Sequence, residues 1–397
     1  MSQAKIIVSG GGIAGAAVTL MLGREGFEVV QLEQAEEFKE VGAGMHIGPN
    51  ITRMFTELGL FDRLTQTAVF PERLNFRNAI TGDVVNYIDL ADVKKTFGGP
   101  YIVIHRNDVL QTILQAADEL PNVTISANRK VVDFVDEGGA VTVTAESADG
   151  KHHTYVGDVF LAADGVHSIV RKRFVGDTTQ PTGYVAYRSG LPIEEMGGLD
   201  LDMTAINCYM GPGLHLMQYG LRAGALYNQV AVFRSPSYPA DDWGNPDELL
   251  EAYSQMCPVI QKSTSYLSTI RRWPLADLPP IDKWTFGRIA LLGDAAHATT
   301  QYLAQGAGQS LLDAASLTKN LKALGDGPWS DEAVAGCWAA YEAERVALGT
   351  GVQRNSRLWG DMWHVDTPGS ILMRDWLFAN RDRYNYDLIK WVWGARV

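Results

Sequence analysis

The sequence predicts a mixed α/β protein: a Rossmann-like parallel sheet, a second β-sheet region and a helical C-terminal segment. Three observations predict it. A short β-branched strand at the N-terminus runs into G-x-G-x-x-G, a helix and a second strand. Two later buried-strand patterns end in Asp-Gly and Gly-Asp. Elsewhere, segments of period two give way to an aromatic tail with helical character.

The first strand is Lys5-Ile6-Ile7-Val8-Ser9, apolar and β-branched as a buried parallel strand should be. Gly10-Gly11-Gly12-Ile13-Ala14-Gly15 follows, then an Ala-, Leu- and Met-rich helix over 13–25. Val29-Val30-Gln31-Leu32 is the second strand, closed by Glu33. Gly10 permits the tight turn, Gly12 lets backbone approach a pyrophosphate, and Gly15 allows close helix–strand packing. Ile13 and Ala14 open the helix whose N-terminus receives the phosphates. Glu33 accepts hydrogen bonds from ribose hydroxyls, which favours FAD or NAD over NADP. A lone G-x-G-x-x-G can be a glycine-rich turn; the complete strand–turn–helix–strand–acid order selects dinucleotide binding.

Val159-Phe160-Leu161-Ala162-Ala163 leads into Asp164-Gly165. Arg288-Ile289-Ala290-Leu291-Leu292 leads into Gly293-Asp294, and Gln305-Gly306-Ala307-Gly308 follows. Asp294 can offer a carboxylate to a ribityl hydroxyl, and the helix start at Gly306 and Ala307 can set N–H groups against an isoalloxazine edge. Either dipeptide alone is more often a plain turn. In this order, with the N-terminal motif, they select FAD.

Composition narrows the partners. The chain has 397 residues, 34 Lys plus Arg against 46 Asp plus Glu, and a net charge of −12. That balance argues against nucleic acid and anionic membrane surfaces. No apolar run approaches the roughly 20 residues of a membrane span. Cys208, Cys257 and Cys337 are scattered and lack metal or disulfide spacing, so the expectation is a reducing cytoplasm and no metal.

The three motifs resemble the GxGxxG, DG and GD motifs of the single-component flavoprotein aromatic hydroxylases, which share the p-hydroxybenzoate hydroxylase fold. The resemblance spans essentially the whole chain. Within that family the chain is most similar to the 3-hydroxybenzoate 6-hydroxylases. Glu40-Val41-Gly42-Ala43-Gly44, Phe76-Arg77-Asn78-Ala79-Ile80-Thr81, Gly98-Gly99-Pro100-Tyr101, Tyr209–Tyr219, Asn228–Phe233 and Gln301-Tyr302-Leu303-Ala304 carry the likeness. Salicylate hydroxylases and 6-hydroxynicotinate 3-monooxygenases are more distant relatives. Four departures stand out: Ala298 and Leu312 near the GD motif and its helix, and Asn78 and His46 where substrate choice is concerned.

The resemblance implies a discontinuous FAD domain (1–72, 100–178, 270–350) interleaved with a substrate domain (73–99, 179–269) and a helical segment, 351–397. That segment carries Trp359, Trp363, Trp376, Trp391 and Trp393. It packs on the subunit body or, in the sharper reading, forms a homodimer interface. There is one G-x-G-x-x-G and no C-x-x-C, which separates the chain from the two-domain flavin disulfide reductases. The resemblance further implies bound FAD, transient NADH (with NADPH as the alternative) and O2. A C4a-hydroperoxyflavin would then attack an electron-rich ring, as in 3-hydroxybenzoate to gentisate. The rival is a decarboxylating hydroxylase of salicylate or 6-hydroxynicotinate; a non-catalytic FAD-binding protein is the reading of another class.

Such a ring must share or lose its phenolic proton in a dry site. His215 is the candidate relay, because alternation in Leu214–Tyr219 sets 215, 217 and 219 on one face. By resemblance Gln301 is the phenol's second partner and Tyr219 orients the ring. His46 is either a substrate contact or a packed surface histidine, and Asn78 is a candidate substrate contact. Arg106, after Ile102-Val103-Ile104, corresponds to a family contact to the FAD pyrophosphate. His297 is expected to be structural. Because the net charge repels anions, recognition should be local, with Arg171-Lys172-Arg173 and Arg106 as candidates.

Overall fold

Lys5–Ser9 is buried along nearly its whole length, and so is Val159–Ala162; apolar side chains on both faces need cover on both sides of a parallel sheet. The computed structural model describes residues 4–38, 44–199, 201–238 and 243–396. A six-stranded sheet runs in the order Thr285–Phe286, Ile289–Leu291, Val159–Ala162, Lys5–Ser9, Glu28–Leu32, Val123–Ser126. Its pairings are parallel except the antiparallel edge pair Thr285–Phe286 with Ile289–Leu291. The three motif-bearing strands are therefore immediate neighbours. Gly10, Asp164 and Gly293 emerge side by side at one carboxyl edge, where open α/β sheets hold ligands.

The second large sheet has seven strands in the order Trp273–Asp277, Gln180–Pro192, Leu226–Arg234, Leu214–Leu221, Ala205–Gly211, Arg73–Asn78, Val84–Asp89. Its period-two residues separate cleanly. Tyr187, Leu216 and Phe233 pack one face against Leu249, Tyr253 and Ile260 of two short helices. Phe76, Cys208, Met210 and Tyr219 form the opposite face. That face meets the tail, where Phe76 lies 4.5 Å from Phe378 and Tyr101 lies 5.4 Å from Trp393 between ring centres.

The tail thus packs on the subunit body. Two elements cross the expected limits. One continuous helix, Asp331–Trp363, runs through the limit set at 350. Strand Trp273–Asp277 pairs with Gln180–Pro192, so the seven-stranded sheet extends beyond 269.

Candidate functional site

A cavity of about 600 Å³ opens at the carboxyl edge of the parallel sheet. Gly10, Gly12, Ile13, Ala14, Glu33, Arg106, Asp164, Asp294 and Ala307 all line it. The first turn is built for close approach. Gly10 has φ +102°, and a Cβ there would lie 2.1 Å from the Ala163 carbonyl oxygen. A Cβ on Gly15 would lie 2.0 Å from the Gly10 oxygen, so Gly15 sets the helix against the turn. Helix Ile13–Arg24 then points its unsatisfied N-terminal N–H groups at the cavity. Glu33 stands in the wall, its carboxylate accepting from the Gly11 and Ala35 N–H groups.

These residues fit FAD on their own chemistry. Asp164 Oδ2 accepts from the Ile169 N–H at 2.9 Å, while its Oδ1 is buried without a partner. Burial raises the Asp164 carboxyl above its ordinary range, and hydrogen bonds from Ser168 and Ile169 oppose the rise. An unmatched carboxylate oxygen beside an N-terminal anion cradle suits a ligand with both hydroxyls and phosphates.

A buried network holds the Gly293-Asp294 turn. Asp313 accepts from the Gly293 N–H at 2.9 Å, His297 Nε2 at 2.6 Å and Arg345 Nε at 2.8 Å. Arg171 does not face the cavity as expected. It is 2 % exposed, pairs with Asp177 and donates to the Ala295 and Ala296 carbonyls. Arg173 pairs with Asp133 and covers the Phe134 ring. Both arginines tie the turn after Asp164 to neighbouring structure, which leaves the anion role to other groups.

At Ala307 a narrower pocket continues between Met45-His46-Ile47 and Ala304-Gln305. Its surroundings are aromatic. His46 Nδ1 lies 3.0 Å from the Tyr101 hydroxyl, and the Tyr219 ring meets His46 edge-on at 4.5 Å. Desolvation pulls His46 down to about 4, so it is neutral at pH 7. Gln301 Oε1 accepts from Arg188 Nη2 at 2.9 Å. His215 is 1 % exposed, with Nδ1 2.7 Å from His364 Nε2 and its ring flanked by Tyr302 and Trp363. Burial pulls His215 down to about 3; burial, then His215, Arg234 and Arg374, pull His364 down as well.

The chain matches the family model described as an FAD binding domain over residues 3–356. It is 35% identical to a 3-hydroxybenzoate 6-hydroxylase of Polaromonas naphthalenivorans (strain CJ2) over 397 residues, 99% of this chain and 96% of that one. The chain belongs to the FAD-dependent aromatic hydroxylases. A 6-hydroxynicotinate 3-monooxygenase of Pseudomonas fluorescens is 32% identical over 363 residues, 90% of this chain and 91% of its own length. Among solved structures, a salicylate hydroxylase substrate complex superposes with a TM-score of 0.80 at 25% identity, covering 100% of this chain and 96% of its own.

In this hydroxylase the expected site residues fall into distinct groups. The dinucleotide residues share one cavity, with Gly306 opening the helix that brings Ala307 to it. His46 and Tyr219 touch, and His46 lines the narrower pocket. His215 and Tyr219 share a sheet face, but the four-residue step separates them by roughly 13 Å along the strand. His215 is engaged with His364, not with Tyr219. Asn78 is not brought into the group: its Oδ1 accepts from the Ile80 and Thr81 N–H groups in an exposed turn. His297 serves the buried Asp313 network. Residues 40–43 lie outside the described residues, as does whatever they contribute. Sequence reasoning missed Arg188, His364, Tyr101, Arg129 and Lys130. Tyr101 sat in a quoted family segment, and Arg129-Lys130 follow a strand at the cavity edge. His364 gave no local signal, because it reaches His215 across 149 residues.

Proposed function

We propose that this flavoprotein uses NADH and O2 to hydroxylate 3-hydroxybenzoate para to its phenol, giving gentisate. Likeness along nearly the full chain to relatives named 3-hydroxybenzoate 6-hydroxylase carries the choice of substrate. FAD, when bound, supplies the electron transfer from NADH and the activation of O2. The cavity residues Gly10, Gly12, Arg106, Asp164 and Asp294 would hold it. The aromatic walls at Tyr101 and Tyr219 keep the reacting ring from water. His215 accepts the phenolic proton with Gln301 as the second partner. Burial makes a charged His215 unfavourable, so the pair with His364 matters. A proton taken at His215 Nε2 is matched by one passed from Nδ1 to His364 Nε2, and His364 releases its own Nδ1 proton, so that neither ring stays charged. Tyr219 orients the ring, and neutral His46 offers a nearby polar contact. The enzyme works in the cytoplasm. The exposed Leu372, Met373 and Trp376 of helix Pro368–Ala379 support a homodimer through that face.

Incubation with NADH and each aromatic acid tests this reading. Gentisate formed without CO2 from 3-hydroxybenzoate is expected, with NADH preferred to NADPH. His46 against Tyr219 favours one second reading, decarboxylating hydroxylation of 6-hydroxynicotinate or salicylate. Release of CO2 with 2,5-dihydroxypyridine or catechol would establish it instead. A yellow protein whose NADH oxidation responds to no phenolic acid would leave only FAD binding.

A further inference from the structure

Five arginine side chains among the described residues are 3 % exposed or less and each carries an acid: Arg171 with Asp177, Arg272 with Glu248, Arg288 with Asp331, Arg345 with Asp313, Arg374 with Asp375. Arg188, half-buried rather than fully buried, forms no ion pair with an acid among the described residues. Its guanidinium lies 5.7 Å from the Trp273 ring centre, and Nη2 donates to Gln301. Its Nε is buried without a hydrogen-bond partner. The charged or ionisable groups that act on it are Tyr219 and Arg106, a phenol and a second cation. Asn228 stands opposite both Tyr219 and Gly190 in the neighbouring strands, so period two sets it on the same face as Arg188. Asn228 is 1 % exposed, and its Nδ2 also lacks a partner.

Two buried donor atoms, Arg188 Nε and Asn228 Nδ2, therefore lie on one sheet face beside Tyr219 with no acceptor among the described residues. A desolvated guanidinium without an anion is costly, and its planar fork matches a carboxylate. We propose that Arg188 and Asn228 form a carboxylate-recognition subsite that selects monoanionic aromatic acids over their neutral analogues. This rests on the reading of the site as that of an aromatic-acid hydroxylase. Because Gln301 is bonded to Arg188, the substrate's hydroxyl and carboxylate are recognised by adjacent groups, which suits ortho or meta placement better than para.

The test titrates oxidised holoenzyme with 3-hydroxybenzoate and with 3-hydroxybenzamide, reading the flavin absorbance change. Arg188→Gln should weaken acid binding about tenfold to a hundredfold, the range of a lost charge-assisted hydrogen bond. Amide binding should stay within about threefold. Asn228→Asp, a nearly isosteric change, places a carboxylate beside Arg188 and should impair the acid selectively too. It stands in if Arg188→Gln fails to retain FAD. Equal loss for acid and amide, or no loss for either, overturns the subsite. Wild-type enzyme that binds no aromatic acid at all overturns the functional reading instead, so the two failures are distinguishable.

Discussion

Asp313→Asn removes one negative charge from the middle of a buried network while keeping the side chain's shape. The carboxylate is 0 % exposed and receives Gly293 N–H, His297 and Arg345. Burial alone would raise this carboxyl. The charges of His297 and Arg345 and the hydrogen bonds from His297 and Gly293 outweigh burial and hold it below the ordinary carboxylate range. Its stabilisation is therefore complete above the unfolded pKa of about 4 and is lost as pH falls below that, so pH 7 measures it in full. In the variant Arg345, 1 % exposed, keeps Gln309 as a neutral partner but loses the carboxylate it pairs with. Breaking a buried pair in this way costs about 3–5 kcal/mol. Against a total of about 5–15 kcal/mol, that is a large fraction. Urea denaturation at pH 7, followed by tryptophan fluorescence, should show the loss in apoprotein and holoprotein. FAD should also dissociate more readily, because the Gly293-Asp294 turn loses its anchor. A loss under about 1 kcal/mol with FAD affinity intact would refute the network's role in holding that turn.

Gly15→Ala should abolish FAD binding or folding, since its Cβ would overlap the Gly10 oxygen at 2.0 Å; a yellow, stable variant would contradict the close helix–turn packing. His215→Ala should leave FAD bound but slow hydroxylation and divert oxygen to H2O2, read as the ratio of product to NADH consumed; full coupling would remove His215 from the proton path. His364→Phe should lower kcat for the phenolic acid with little change in its Kd, and unchanged kcat would show that the histidine pair carries no proton. His46, His215 and His364 are all held below the ordinary histidine pKa by burial. Their contribution is therefore full above pH 6.5 and falls as pH drops, by about 1.4 kcal/mol per unit for each fully protonating in the unfolded chain. The denaturation midpoint should fall steeply from pH 6.5 to 5, and His215→Gln with His364→Gln should flatten the slope.

The fold was legible in the sequence where function and local geometry coincide. Gly10, Gly15, Asp164 and Gly293 act within a few residues of their own strands, so each motif could be read locally. The sheet face of His215, Met217 and Tyr219 was legible from period two. What that face meets was not. Trp363 and His364 arrive from the end of a 33-residue helix, and helical periodicity does not say where a helix's last turn docks. Arg171 misled for a related reason. A basic triplet after a cofactor motif suggests an anion site, yet 124 residues away the Ala295 carbonyl completes a structural clasp. Asn78 is the mirror case, a polar residue in a family segment whose own turn uses its side-chain oxygen.

That distinction changes how a chain of net charge −12 can hold anionic ligands. Many of its arginines are neutralised internally, so the basic clusters of the sequence overstate the cations offered to a ligand. Arg106, Arg129 and Lys130 line the large cavity, with the N-terminus of helix Ile13–Arg24 beside them. At the aromatic end Arg188 is coupled to Tyr219 and Gln301 rather than to an acid. An anion held in that cavity would meet its cation inside a Debye length of about 8 Å and partly out of water, where screening by salt is weakest. The overall negative charge repels at a distance, and the placed donors decide at contact. Which donors a ligand can use is therefore set by which ones the folded chain has already engaged, a property that charge counts along the sequence do not contain.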